Sequence, residues 1–273
     1  MILPLLVASF VAGAWAQSPV ELREKARAAM NRMMENGDRL NDYAYSFEGL
    51  RLEYDSDGKL RSEKNWKGRR EFIDGFGVSR IFERDGKPVD EKERREGEQA
   101  IRKRLAELKA MSPAELEKLR RERREKTQKE MGWMNEFADA FNFQLAGEQV
   151  LEDRAVWLID IEPRPGFRPS SSCARLFEKI RGRLWLDKTD TEIMRAEGEA
   201  FDTVSIGWGL VARIEKGTRF GIERRKVTDG VWLNTSQSFK FGARVMLVKH
   251  LSNQVTNHWK EFRHKSQFAE KSN

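Results

Sequence analysis

The sequence predicts an α+β protein made mainly of antiparallel β-structure, a strongly curved, half-open β-barrel of roughly ten to twelve strands. Three observations predict this fold. Apolar and polar residues alternate along most of the chain after residue 42. Asp-Gly turns occur at 57–58, 85–86 and 229–230, and helix-length patterns interrupt the strands only around 90–141. Strands joined by short turns form a meander, and strand twist bends such a sheet.

Residues 1–16 have the features of a cleavable signal peptide. The segment 2–11 is apolar apart from Pro4 and Ser9 and is shorter than the roughly 20 residues that span a bilayer. Ala14 and Ala16 are small residues where a signal peptidase reads the chain. The alternatives are a short buried helix and a membrane anchor, since no Lys or Arg precedes the apolar run. Cleavage would leave Gln17 as the first residue of an exported, periplasmic protein without another transmembrane segment.

Composition limits the classes of function. The single cysteine, Cys173, excludes an intramolecular disulfide. The net charge of +7 suits anionic lipid head groups and peripheral membrane contact, or simply solubility, because export argues against nucleic acid as a partner. No cluster of titratable residues indicates an enzyme, so we expect no catalytic residue, no metal and no cofactor.

The first structural element is predicted to be a helix over 19–36. Ser18 and Glu21 have the spacing of a capping box, with Pro19 in the first turn. Gly37 is a typical helix end. The apolar residues at helical spacing are Leu22, Ala26, Ala29, Met30 and Met33.

Period-two alternation begins at Tyr43 and predicts the first strands. Tyr43, Tyr45 and Phe47 share one parity, whereas Leu50, Leu52 and Tyr54 have the other. This change of phase predicts a β-bulge at Glu48-Gly49. Further strands are expected around 59–67, 69–74 and 78–84.

Residues 90–131 have a different composition, with 14 Lys or Arg and 11 Asp or Glu. Helix propensity is high throughout, and Ser112-Pro113 marks the start of a second helix. The segment 131–141 is much more apolar than these helices. We expect Trp133, Met134 and Phe137 to lie on the inner side of a helical lid.

Alternation returns from 143 to 262 and predicts the remaining strands. Trp157 and Ile159 mark one strand, 182–187 and 193–200 form a hairpin, and 239–247 is the longest clean alternation. We expect one domain, 17–265, with a charged helical insertion at 90–141 and a polar tail at 266–273.

The paired segments 182–187 (Gly-Arg-Leu-Trp-Leu-Asp) and 193–197 (Ile-Met-Arg-Ala-Glu) resemble the central strands of a known group. This is the LolA/LolB-like superfamily of periplasmic lipoprotein carriers and outer-membrane lipoprotein-sorting proteins. Its layout of signal peptide, N-terminal helix, curved sheet and inserted helices is similar to the one predicted here. The resemblance implies a cavity under a lid that binds the acyl chains of lipids or lipoproteins. The long charged helices of this chain depart from the short lid helices of the carriers.

Inward-facing apolar residues are the candidates for lining such a cavity. For each of them ordinary core packing is the alternative, because burial of an acyl chain requires no particular motif. A second hypothesis is an envelope sensor or scaffold of the same fold that binds a protein partner through its charged helices. An enzyme is a third. The candidate cavity residues are Tyr45, Phe47, Trp157, Ile159, Leu184, Leu186, Phe239 and Phe241.

Overall fold

The structure is a computed structural model that describes residues 18–55, 57–206, 212–245 and 249–269. The predicted signal peptide, 1–16, and the glycine-rich segment 207–209 lie outside the described residues. Within them, no helix is long and apolar enough to cross a membrane.

The described strands form one antiparallel sheet, which confirms the predicted fold class. Eleven of its thirteen strands follow the order β4-β3-β2-β1-β13-β12-β11-β8-β7-β6-β5. The terminal strands β4 and β5 do not pair with each other, so the sheet is open. The short strands β9 and β10 pair together beside the end of β12. The strands are β1 (Tyr43–Tyr54), β2 (Leu60–Ile73), β3 (Phe76–Arg84), β4 (Lys87–Pro88), β5 (Phe141–Leu151), β6 (Arg154–Pro163), β7 (Ile180–Asp187), β8 (Ile193–Ala200), β9 (Val204–Ile206), β10 (Ala212–Ile214), β11 (Arg219–Thr228), β12 (Val231–Val245) and β13 (Lys249–His264).

Helix α1 (Pro19–Arg39) crosses one face of the sheet. It contacts β5 at one end of the sheet and also β8 and β12, which lies five positions away in the strand order. A helix of 21 residues is about 30 Å long, and neighbouring strands are about 4.8 Å apart. The length of α1 is therefore enough for one helix to contact all three strands. We call the side that faces α1 the inner face.

The N-terminus of α1 forms as predicted, but its C-terminus does not. Ser18 and Glu21 make the capping box. The helix continues through Gly37 to Arg39, so the predicted end at 36 is wrong. Asn36, which is 5% exposed, contacts the sheet just before this glycine, and tertiary packing therefore extends the helix.

Two predictions for the first strands are also wrong. The segments 59–67 and 69–74 form one strand, β2, which ends at the Asp74-Gly75 turn. No bulge occurs at Glu48-Gly49, where β1 keeps its register with both neighbours. The register shift lies between Ala44 and Ser46, opposite Glu261, whose φ is +60°. The change of apolar phase along β1 therefore reflects a change in the face that carries apolar residues.

The charged segment forms two helices, α2 (Glu91–Ala110) and α3 (Pro113–Met131). Ser112 and Glu115 make a capping box at the predicted start of α3. The two helices connect β4, at one end of the sheet, to β5 at the other. Helix α2 lies along β3, and α3 has no buried residue. The ion pairs between α2 and the β3 region are Arg84–Glu93, Arg80–Glu98 and Asp74–Lys109.

Short helical turns complete the fold. The 3₁₀ turn Gly132–Glu136 and α4 (Phe137–Ala140) lead from α3 into β5, and a second 3₁₀ turn spans Ala174–Lys179. Helix α5 (Ser266–Ala269) follows β13, and the ring of Phe268 lies 5.9 Å from that of Phe72.

Candidate ligand-binding face

Strand register identifies the residues of the inner face. Residues directly opposite each other in an antiparallel pair project to the same side of the sheet. Ile159 on β6 packs under α1 and lies opposite Leu184, which lies opposite Ala196 on β8. Directly opposite residues can be followed in the same way across β11, β12 and β13 to β1, where Phe47 projects to the same face. The predicted cavity residues on these strands therefore share one face.

The half of the inner face formed by β5 to β8 is a packed core. Trp157, Ile159, Leu184 and Leu186 are all buried there against α1. A ligand could reach these four predicted cavity residues only if α1 moved away. The apolar residues that α1 contributes are Leu22, Ala26, Ala29 and Met30.

The predicted lid residues belong to the same packed half. Phe137 is buried, and Trp133 and Met134 are partly buried against the core. The ring of Trp133 lies 5.0 Å from that of Phe177 in the second 3₁₀ turn. These three side chains therefore pack over the core at the β5 end of the sheet.

The other half of the inner face, from β11 to β3, remains accessible. Phe239 is 37% exposed, and the aromatic side chains around it on the inner face are partly exposed. Tyr43, Val231 and Leu233 of these strands are buried in a separate small cluster. Of the strands in this region, β12 makes the main contact with α1. We call this surface the aromatic floor; it consists of Tyr45, Phe47, Trp66, Phe220, Phe239, Val255 and Trp259.

Glycines beneath the rings of the aromatic floor let these rings pack directly on the backbone. The ring of Trp66 lies over Gly49, and the ring of Phe47 lies over Gly68, so closely that a Cβ at either glycine would collide with the ring. Phe220 covers Gly198 in the same way. The rings of Tyr45 and Phe47 meet at an interplanar angle of 66°, so the floor is a closely packed aromatic surface and not a flat one.

Three of the predicted cavity residues fall on this floor or beside it. Tyr45, Phe47 and Phe239 lie on it, and the side chain of Phe241 lies outside the described part of the structure. Sequence reasoning missed four members, namely Trp66, Phe220, Val255 and Trp259. Trp66 could have been found from its pairing with Gly49, but this pairing depends on strand register, which the alternation alone does not fix.

Neither of two depressions in the surface is the continuous apolar cavity that was expected. The larger, of about 1330 Å³, is lined by none of the eight predicted cavity residues. Its lining combines the charged residues Asp160 and Arg183 with apolar residues such as Leu22, Phe143 and Phe220, so it is an open depression of mixed polarity. The smaller, of about 240 Å³, lies on the floor between Tyr45, Phe47 and Trp259.

Positive charges stand at both ends of the aromatic floor. Arg70 lies directly opposite Tyr45, and Arg51 lies directly opposite Lys64 toward the other end of β1. Burial raises the pKa of Tyr45, while Arg70 partly opposes this shift. The phenol of Tyr45 therefore remains protonated at neutral pH and can donate a hydrogen bond.

No protein-family model and no curated protein matches the sequence. Three solved structures are similar to this chain at low sequence identity. An outer membrane lipoprotein-sorting protein domain from Vibrio parahaemolyticus is 8% identical, and the alignment covers 91% of this chain and 94% of that one with a TM-score of 0.36. A LolA superfamily protein from Nitrosomonas europaea is 7% identical over 86% and 93% of the two chains, with a TM-score of 0.27. The MucA/MucB complex of Pseudomonas aeruginosa matches at 11% identity over 88% and 99%, with a TM-score of 0.23.

One of them is a member of the superfamily that the sequence resembles. The fold of this chain is defined by its strand order and by the position of α1. The class of protein is an open antiparallel half-barrel, filled by a helix on one side and carrying an accessible aromatic floor on the other.

Proposed function

We propose that the protein binds an apolar ligand on its aromatic floor and acts as a carrier of lipid or of the acyl chains of outer-membrane lipoproteins. One observation supports this most directly: partly exposed aromatic side chains from five strands lie together on the inner face of the half-barrel. Contiguous exposed apolar surface is uncommon on soluble proteins unless it binds something. Aromatic rings packed over glycines suit an acyl chain, because burial of such a chain needs apolar surface and no directional contacts.

Quenching of tryptophan fluorescence by a brominated acyl lipid tests this function. Trp66 and Trp259 lie in the floor, so a bound chain would bring bromine to both rings. Phe239→Ser should weaken binding roughly ten-fold, because burial of a phenylalanine side chain contributes about 1.5–3 kcal/mol. Val150→Ser is the matched control, since Val150 is 71% exposed on β5, at the far end of the sheet.

The outcome is decisive in either direction. Saturable quenching that weakens in Phe239→Ser but not in Val150→Ser supports the proposal. Absence of quenching at lipid concentrations just below micelle formation, together with no lipid extracted from the purified protein, rejects it. An equal loss in the two variants also rejects it, because the aromatic floor would then have no special part in binding.

Export to the periplasm forms part of this proposal. It is supported by the apolar segment 2–11 and the small residues before Gln17. Expression of the full chain in a Gram-negative host should give a periplasmic protein whose first residue is Gln17. Mass spectrometry of the periplasmic fraction measures this directly, and retention of residues 1–16 in a membrane-bound protein would contradict it.

A second candidate function, binding of an envelope protein, is favoured by α3. This helix has no buried residue and presents charged side chains on all sides. A photo-crosslinker at Thr127 should give one discrete adduct if α3 is a binding surface. The adduct should disappear when Arg120, Arg123 and Arg124 are changed to Gln, while the thermal unfolding transition stays unchanged. A diffuse set of adducts, or one that survives these substitutions, would exclude α3 as the binding surface.

A further inference from the structure

Arg70 is placed on the inner face of the sheet, at one end of the aromatic floor. Its direct neighbours across the strands are Tyr45 on β1 and Ser79 on β3. The guanidinium lies against Gly77, where a Cβ would collide with it. Its Cζ is 5.9 Å from the centre of the Phe72 ring. Arg70 therefore puts a positive charge among aromatic side chains.

Two arginines of this sheet, Arg154 and Arg183, show the pairing with a carboxylate that Arg70 lacks. Arg154 donates from Nε and Nη2 to Asp187 at 2.6 and 2.9 Å. Arg183 donates from the same two atoms to Asp160 at 2.6 and 3.0 Å. The corresponding edge of the Arg70 guanidinium has one long hydrogen bond, from Nη2 to the Asn41 carbonyl at 3.4 Å. Its Nε is covered and has no partner among the described residues.

The carboxylates near Arg70 in sequence project away from it. Glu71 follows it on β2 and therefore points to the outer face, where it pairs with Arg80 at 3.0 Å. Arg69, on the same outer face, lies 3.8 Å from Glu71. Within the described part of the chain, no carboxylate forms a salt bridge with Arg70. A partly buried guanidinium that no carboxylate neutralises attracts an anion, and a carboxylate or a phosphate can accept charge-assisted hydrogen bonds from its Nη atoms.

The distance along β1 suits a ligand with one long chain. From Tyr45 to Arg51 the strand advances six residues, roughly 20 Å at about 3.3 Å per residue. Phe47 and the ring of Trp66 over Gly49 fill the interval with apolar surface. The length is comparable to that of an extended long-chain fatty acyl group. Arg51 and Lys64 at the far end are exposed, so water solvates their charges.

We propose that the aromatic floor binds a single-chain amphiphile with an anionic head group, and that Arg70 binds the head group. This inference rests on the proposed function, since it requires the floor to hold an acyl chain. The carboxylate or phosphate accepts hydrogen bonds from the guanidinium, and Tyr45 stands beside it as a further donor. The chain extends from Arg70 over Phe47 and Trp66 toward Arg51.

The experiment compares a brominated fatty acid with its methyl ester, using quenching of tryptophan fluorescence in the full chain. The two probes share one acyl chain, and the ester replaces the anionic carboxylate by a neutral group that is larger by one methyl. At pH 7.5 and below micelle formation, the wild-type protein should bind the acid at least ten-fold more tightly than the ester. A brominated alkyl phosphate of equal length shows which of the two anions the site prefers. The comparison in the wild type requires no variant and therefore does not depend on how any variant folds.

Arg70→Gln and Arg69→Gln form a matched pair of variants. They remove the same charge from adjacent positions on opposite faces of β2. Arg70→Gln should lower affinity for the acid about ten-fold and leave affinity for the ester unchanged, whereas Arg69→Gln should change neither. The thermal unfolding temperature of each variant is measured in parallel. A lower unfolding temperature in Arg70→Gln with an unchanged acid-to-ester ratio would give Arg70 a structural role only and overturn the proposal.

The remaining outcomes separate this inference from the proposed function. Equal binding of acid and ester by the wild type overturns the role of Arg70 and leaves the acyl-binding function intact. If Arg70→Gln and Arg69→Gln lose acid binding equally, the effect comes from the net positive charge of the protein and not from the position of Arg70. This outcome also overturns the proposed role of Arg70. If neither probe binds, the proposed function itself fails.

Discussion

Arg224 donates from Nη1 to the Glu192 carboxylate at 2.7 Å, and both side chains are inside the protein, 1% and 5% exposed. Arg224 also donates to the carbonyls of Ile193 and Trp232. Asn36 of α1 lies 3.4 Å from the other oxygen of Glu192. This polar network joins the C-terminal end of α1 to β8, β11 and β12. Burial lowers the pKa of Arg224, and Glu192 opposes that shift.

Breaking this ion pair should be strongly destabilising. Glu192→Gln leaves the Arg224 guanidinium buried without a compensating charge. We expect a loss of about 3–5 kcal/mol in the free energy of unfolding, measured by urea denaturation. Asn36→Ala should cost less, about 1 kcal/mol, since it removes one long hydrogen bond.

The double variant Glu192→Gln/Arg224→Met is the control. It replaces the charged pair by groups of similar volume and should recover part of the stability lost in Glu192→Gln. If Glu192→Gln alone leaves the urea midpoint unchanged, the pair does not hold α1 to the sheet.

Asp187 should make the stability of the protein depend on pH in the acid range. Its side chain is 1% exposed. Burial alone would raise the pKa of Asp187, but hydrogen bonds from Arg154 and from the backbone N–H groups of Asp190 and Thr189 outweigh burial and lower it. A carboxyl whose pKa is lowered by folding stabilises the protein above its unfolded pKa, about 3.9. This contribution is lost as the pH falls through the folded pKa.

The measurement is the free energy of unfolding between pH 7 and pH 3 for the wild type and for Asp187→Asn. The variant should be less stable at pH 7, by about 1.5–3 kcal/mol, and its stability should fall less steeply below pH 5. Asp202→Asn is the comparison, because Asp202 is paired with Lys179 but is 56% exposed. Its effect at pH 7 should be much smaller. Parallel pH curves for the wild type and Asp187→Asn would contradict the prediction.

Local sequence patterns predicted the positions of helices and strands better than they predicted on which face of the sheet, and beside which neighbours, a side chain lies. Capping residues at Ser18 and Ser112 located two helix starts, because a cap acts within a few residues of sequence. The alternation along β1 located a strand but led to a wrong bulge at Glu48-Gly49. Gly49 is covered by Trp66 from the next strand, and the alternation within one strand contains no information about such a neighbour.

The candidate site was predicted in part for the same reason. Trp157 and Phe239 have similar alternation patterns around them, yet α1 buries the first and leaves the second 37% exposed. The difference depends on where one helix of limited length lies in a wide sheet. Arg70 gave no signal in the sequence, because only strand pairing places it beside Tyr45 on the inner face.

Gly37→Ala should stabilise the protein. Gly37 lies inside α1, and a Cβ at this position would meet no atom within 4 Å. Alanine lowers the entropy of the unfolded chain and favours the helix by about 0.5–1 kcal/mol. The unfolding temperature should rise by a few degrees in differential scanning calorimetry.

Gly58→Ala is the opposite case. A Cβ at Gly58 also has open space, but its φ is +79°, which an L-residue adopts at a cost of about 1–2 kcal/mol. This variant should lower the unfolding temperature. A fall in Gly37→Ala as well would mean that α1 ends before Gly37.

Limited trypsin digestion should cut α3 first and leave the protein assembled. Cleavage requires local opening, and α3 has no buried side chain to oppose it, whereas its lysines and arginines are exposed, 76% in the case of Lys126. Denaturing gels should then show two fragments that meet within 118–129.

The fragments should stay together because β1, in the N-terminal fragment, pairs with β13 from Tyr43 to Tyr54, and α1 packs on β5 and β8 of the C-terminal one. Size-exclusion chromatography and native mass spectrometry of the nicked protein should give the mass of the intact chain, and 6 M urea should separate the fragments. Dissociation without urea would show that α3 itself holds the two ends of the sheet together, and a first cut within β2 or β3 would place the weakest part of the fold in the aromatic floor.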